Sequence, residues 1–206
     1  MRRLGALLAV LALTGCASVV RNVRVSEDWA AVDQDRVKRL VILTSPLPDG
    51  SEPVGRMWST LSARHVDLKN KFIIKAVESA PIVEGTAFDP LARCRLVVDE
   101  EPQQVDGVLW LKPDVKRKGE GVEAAVEGLL LRCVDGQTVW SANAAGSWGA
   151  KDKKLEQTIA DYVREFGPEV EPYVVGSWNV LRAALDTLPE PRLTEDEETE
   201  KVLHAQ

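Results

Sequence analysis

Two turn signals in the second half of the chain restrict its fold more than any other feature. Lys118-Gly119-Glu120-Gly121 and Asp135-Gly136 separate three strand-length segments, residues 108–116, 122–134 and 138–148. Glycine supplies the positive φ that a tight hairpin requires, so each signal predicts an antiparallel reversal and the three segments together predict a meander. Along the last segment Trp140, Ala142, Ala144, Gly146 and Trp148 fall on one face, while Ser141, Asn143, Ala145 and Ser147 fall on the other.

The residues before the meander follow a different pattern. Leu40-Val41-Ile42-Leu43, inside residues 37–44, is apolar on both sides, as in a strand covered on both faces. Pro46, Pro48, Asp49, Gly50 and Pro53 break it. Val54, Met57, Trp58 and Leu61 then recur at helical spacing, predicting a helix to about Val66. Residues 72–77 read as a second strand, parallel to the first because a helix intervenes. Pro81 to Gln104 carries weaker signals, with a short helix expected over 90–98 and a surface loop at Glu100-Glu101-Pro102.

After the meander, Asp152 is placed to cap a helix whose apolar stripe is Leu155, Ile159, Tyr162, Val163 and Phe166, ended by Gly167-Pro168. A second helix starts near Glu171-Pro172 and carries Val174, Val175, Trp178, Leu181, Leu185 and Leu188 until Pro189 and Pro191 stop it. The expected fold is α+β: a β-α-β opening followed by an antiparallel three-stranded meander, the sheet packed by helices including the two C-terminal ones.

At the other end, Arg2 and Arg3, an uncharged apolar run over residues 4–13, and Thr14-Gly15 follow the three-part plan of a secretory signal peptide. The run falls short of the roughly 20 residues that span a bilayer, and no later segment approaches that length. Leu13-Thr14-Gly15-Cys16 resembles the lipobox of bacterial lipoproteins. That resemblance implies cleavage before Cys16, diacylglycerol on its thiol and an acyl chain on its new amine. Several chains make a durable anchor, each buried methylene adding roughly 0.8 kcal/mol. Ala17, where an aspartate would imply inner-membrane retention, implies the outer membrane and a periplasm-facing domain.

The chain therefore divides into a signal peptide (1–15), a lipidated N-terminus and tether (16–35), a single domain (36–189) and an acidic flexible tail (190–206). Removing residues 1–15 takes two of 26 basic residues and none of 32 acidic ones, moving the formal charge from −6 to −8. So acidic a chain excludes nucleic acid as a partner and is poorly suited to anionic lipid surfaces. With Cys16 used by lipid, Cys94 and Cys133 remain, in an oxidising compartment. A bridge between them would stabilise the fold by roughly 3 to 4 kcal/mol. Two separately buried thiols are the alternative, and the sequence leaves both open.

Catalytic chemistry has little to work with. The two histidines, His65 and His204, lie on an expected helix and in the expected tail, with no nucleophile paired to either. Cys94, Cys133 and His65 lack zinc-ligand spacing. Gly119-Glu120-Gly121 and the stretch Gly146 to Lys151 lack the phosphate-loop pattern. Glu123 and Glu127 share a strand face and read as solvated. No catalytic residue, cofactor or metal is assigned, and the chain is read as not an enzyme. Trp110, Trp140 and Trp148 could form an exposed ridge for glycan or peptidoglycan; burial in the core is their other reading.

The order of elements over residues 37–166, and above all Leu129 to Ala142 (Leu-Leu-Leu-Arg-Cys-Val-Asp-Gly-Gln-Thr-Val-Trp-Ser-Ala), resembles a domain of outer-membrane lipoproteins. These are related to the curli secretion lipoprotein and to lipoprotein activators of penicillin-binding proteins, and the domain also resembles the N-terminal domain of the Tol propeller protein. Pro172 to Trp178, continuing to Leu188-Pro189, resembles uncharacterised lipoproteins of myxobacteria and leptospires. The resemblance implies a lipid-anchored interaction or assembly module with an envelope-protein partner. No segment is apolar enough to imply the membrane-crossing strands of the curli pore.

Overall fold

A computed structural model describes residues 19–47, 51–70, 72–79 and 88–204. In chain order the elements are β1 (Val19–Val25), β2 (Arg39–Thr44), α1 (Glu52–Asn70), β3 (Ile73–Ser79), β4 (Val97–Val98), β5 (Glu101–Pro102), β6 (Gly107–Lys118), β7 (Gly121–Arg132), β8 (Thr138–Gly149), α2 (Glu156–Phe166), α3 (Glu171–Leu185) and α4 (Glu195–His204).

Six strands form one mixed sheet in the order β1-β8-β7-β6-β2-β3, and β4 and β5 make a separate two-residue ladder. The β-α-β opening is present: β2 and β3 are parallel, joined through α1, and β2 also runs parallel to β6. The meander β6-β7-β8 is antiparallel throughout. Its first reversal is a two-residue loop that pairs Lys118 with Gly121, Gly119 taking a φ of 59°.

The second reversal is wider than the tight turn expected at Asp135-Gly136. The Arg132 N–H donates to the Gln137 carbonyl at 2.9 Å and the Gly136 N–H to the Arg132 carbonyl at 2.8 Å, leaving a four-residue loop over 133–136 in which Gly136 takes a φ of 72°. A register shift follows between Leu130 and Leu131, and both Val139 and Trp140 are buried there.

Helices cover one face of the sheet. Leu40, Ile42, Leu109, Ala124, Leu130 and Trp140 meet Met57 and Trp58 of α1 and Val174, Leu181 and Leu185 of α3, all buried. Trp140 is 1% exposed, and its Nε1–H donates to the Thr187 carbonyl at 3.0 Å. Ahead of α2, the Asp152 side chain caps a 3-10 turn, Lys153–Leu155, by accepting from the Lys154 N–H at 2.9 Å; that turn leads into α2, whose own N-cap, Leu155, makes no side-chain cap bond.

Two boundaries differ from expectation. Residues 19–25 are not a tether: they form β1, paired antiparallel with β8, and Trp29 behind it is 7% exposed. Within the stretch expected as a flexible tail, 190–206, residues 195–204 form α4, which docks by charge. Its Glu197 meets Lys38 Nζ at 2.6 Å, Glu200 meets Arg39 Nη2 at 2.6 Å and Lys75 Nζ at 3.2 Å, and Lys201 reaches Asp67 on α1. These pairs are three-quarters buried or more on the Lys38, Arg39 and Lys75 side, so they hold the helix where apolar contact alone would not.

Cys94 and Cys133 form a disulfide, with Cα atoms 5.6 Å apart. The Pro90–Cys94 segment is a short 3-10 helix rather than the longer helix expected over 90–98, and Val97–Val98 continues into the small ladder.

Candidate functional site

Among the described residues, the face of the sheet away from the helices is covered over only part of its area. Near β2 and the start of β6, Leu43 and Val108 are fully buried beneath Phe88, Cys94, Cys133 and Trp110. The disulfide therefore fastens the segment from Phe88 onwards to the end of β7, and it seals this part of the face.

The remaining part, across the far ends of β6, β7 and β8 and reaching β1, is an open shallow concavity of about 710 Å³. Its floor is small, with Ala125 opposite Ala145 and Ala145 opposite Val19. Its sides are charged ladders. Lys112 Nζ lies 3.1 Å from Glu127, Lys116 lies 3.0 Å from Asp114, and Lys118 pairs with Glu123. Glu123 and Glu127 thus each face a lysine on the neighbouring strand, a cross-strand arrangement of opposite charges on a solvated face. Lys112 also lies 4.2 Å above the Trp110 ring, whose Nε1–H donates to Ser45 at 2.8 Å.

Beside the concavity β1 ends the sheet. Its register shifts between Arg21 and Arg24, Asn22 takes a φ of 55°, and Val19, Val23 and Val25 are each more than 40% exposed. A bulge and two arginines restrain open-ended strand pairing without removing the backbone groups along that edge.

The three tryptophans do not form a ridge. Trp140 is in the core; Trp148 is half-buried on the same helix-covered face, its ring against Gly146; Trp110 is half-buried on the opposite face, beside Phe88. No tryptophan is exposed among the described residues, so the exposed-tryptophan route to a glycan is corrected. The register explains why. A two-residue turn at Asp135-Gly136 would put Leu129 opposite Ala142 and so bring Trp110, which faces Leu129, onto the Trp140 side. The four-residue loop and the shift after it put Leu129 opposite Ser141, and a one-residue slip exchanges the faces.

His65 is 9% exposed on α1, with Nε2 3.2 Å from Asp186 after α3; it sits on the helical side, remote from the open face. His204 belongs to α4. Among the described residues no three His, Cys, Asp or Glu are grouped to hold a metal ion, and no helix is long and apolar enough to cross a membrane. Cys16 lies outside the described residues.

Sequence reasoning missed β1 and the α4 contacts. For α4 a signal existed: Thr194-Glu195-Asp196-Glu197 is a capping box, in which the Thr194 N–H donates to the Glu197 carboxylate at 2.9 Å and the Glu197 N–H to Thr194 Oγ1 at 3.4 Å. Burial by itself would raise the Glu197 carboxyl, but Lys38 and the Thr194 N–H outweigh it and hold it below the usual range. The Arg39 hydrogen bond does the same for Glu200.

No protein-family model matches the sequence, and no curated protein matches it. Several solved structures superpose on parts of this chain. The PelC dodecamer subunit from Paraburkholderia phytofirmans superposes with a TM-score of 0.46 at 13% identity, covering 77% of this chain and 98% of that one. The hypothetical protein CT253 from Chlamydia trachomatis gives 0.45 at 9% identity, covering 81% and 99%. Lipoprotein GNA1162 from Neisseria meningitidis gives 0.37 at 14% identity, covering 62% and 96%. Likenesses this distant transfer no activity, partner or assembly to this chain.

Proposed function

We propose that this chain is a lipid-anchored cell-envelope protein, held at the outer membrane through Cys16 and facing the periplasm, that works by binding another envelope protein rather than by catalysis. The observation that carries the reading is the open half of the sheet. A six-stranded sheet packed on one face ordinarily needs the other face solvated or covered, and here one part is sealed by a disulfide-held segment while the adjoining part is left open next to a strand edge. Small floor residues between charge ladders suit a flat protein surface, with the ladders giving register and specificity. Each acid on this face is balanced by a lysine, which supports binding over acid-base chemistry.

The test is a photo-crosslinking residue at Asn143 or Glu127, both exposed on the open face, compared with one at Gln157, exposed on α2. In intact cells the first two should yield the same specific envelope protein and the third should not. Equal yields at all three, or no specific adduct from the open face, would remove this assignment.

A further inference from the structure

The sheet's register fixes which end of the domain lies beside the anchor. Val19 is opposite Ala145, and β8 runs on from there to Gly149, which is opposite Gly121. The β6-β7 hairpin tip therefore lies past the Val19 row by at least the four residues from Ala145 to Gly149, about 13 Å at roughly 3.3 Å per residue. Cys16 precedes Val19 by three residues and so is no more than about 11 Å from it. With Val19 four rows from Gly149 but seven from Thr138, a lipid attached there would leave the hairpin tip and the connection from β8 to α2 nearer the membrane than the opposite end of the meander.

That end is basic, although the chain is acidic. Residues 116–121 and 148–154 hold Lys116, Arg117, Lys118, Lys151, Lys153 and Lys154 against Glu120 and Asp152, a formal +4, so the rest of the chain from Cys16 carries −12. All six cations are exposed. Lys116 and Lys118 are paired with Asp114 and Glu123, whereas Arg117, Lys151, Lys153 and Lys154 have no ion-pair partner among the described residues. Lys118 and Lys151 border one shallow depression, so the two basic segments form a continuous surface.

We infer that this basic end is a docking surface for the anionic phospholipid headgroups of the membrane that holds Cys16, and that it fixes the orientation of the domain. The inference rests on lipidation at Cys16. Polybasic segments beside a lipid anchor gain attraction from anionic headgroups and lose it within a Debye length. The acidic remainder is then repelled from the surface, so the two parts of the charge distribution favour the same pose. The acidic overall balance argued against such a surface; the fold gathers the cations at the end nearer the anchor.

The experiment uses the acylated chain reconstituted in phosphatidylcholine vesicles with or without phosphatidylglycerol. A polarity-sensitive fluorophore is attached at Glu120→Cys on the hairpin tip, or at Val134→Cys, 84% exposed at the other end of β7. With phosphatidylglycerol the tip label should shift to the blue and the Val134 label should not. Added salt, or the charge reversals Arg117→Glu, Lys153→Glu and Lys154→Glu, should abolish the shift while the chain still sediments with vesicles. Sedimentation without a selective, phosphatidylglycerol-dependent shift at the tip overturns the docking surface alone. Failure to sediment overturns the Cys16 reading and this inference with it.

Discussion

Substituting Gly128 with alanine should expose how tightly the meander is packed around Trp140. A Cβ at Gly128 would lie 2.7 Å from Trp140 Cη2, 2.8 Å from Cζ3 and 3.3 Å from Leu111 Cδ2. Carbon atoms sit best at roughly 3.5 to 4.0 Å, so the ring would have to retreat by most of an ångström. It has nowhere to go: the indole is 1% exposed and tied through Nε1 to Thr187. Overpacking of this kind costs about 1 to 3 kcal/mol, and the anchored ring puts Gly128→Ala near the upper end. Trp140→Phe removes Cη2 and Cζ3 as well as the Nε1 donor, costing about 1 to 3 kcal/mol in its own right. In that background the alanine should be cheaper by about 1 to 2 kcal/mol, a coupling measurable by urea denaturation of the four chains, made from residue 16 with Cys16→Ser. Strict additivity, or a silent Gly128→Ala, would refute the placement of Trp140 beneath β7.

Replacing Cys94 and Cys133 together with serine removes a bridge across 39 positions and should lower stability by about 4 kcal/mol in the chain-entropy account, read from the denaturation midpoint. Alkylation of the unfolded chain without reductant should add no mass at either residue. Glu200→Gln should release α4, seen as faster amide exchange over Glu195–His204 with the sheet unchanged. Because Arg39 holds the Glu200 carboxyl below its usual 4.5, the unfolded chain binds more protons just under that pH, so the contact's stability is full above it and drains as pH falls toward the depressed value. A chemical-shift titration of Glu200 with a midpoint at or above 4.5 would contradict this. Arg132→Met should cost about 3 kcal/mol or more by stranding Asp33, which is fully buried, and Asp33→Asn should recover part of the loss.

What the sequence disclosed follows from the strength of its local signals. Glycines at 119 and 136 marked both reversals, and the apolar stripes of α2 and α3 were readable because each helix buries one side. β1 was hidden because Val-Val-Arg-Asn-Val-Arg-Val is interrupted by a bulge and mostly exposed, so no period of two survives. α4 was hidden because its attachment is electrostatic; an apolar-surface criterion passes over Glu197 and Glu200, whose partners lie more than 120 residues away. The tryptophan arrangement failed on register. Faces were legible within a strand, but the relation of Trp110 to Trp140 depends on a loop length and a one-residue shift, neither of which the amino-acid pattern specifies. The open face could not be read either, since it is defined by where the segment from Phe88 stops covering the sheet.

The central claim is that the domain is held in the envelope by lipid on Cys16, with β1 starting three residues later. Intact-mass measurement of the chain extracted from membranes tests it most directly. The expected species begins at Cys16 and carries the added mass of diacylglycerol and an amide-linked acyl chain, and Cys16→Ser yields none of it in the membrane fraction. An unacylated chain, or one that keeps residues 1–15 while still fractionating with membranes, would contradict the account.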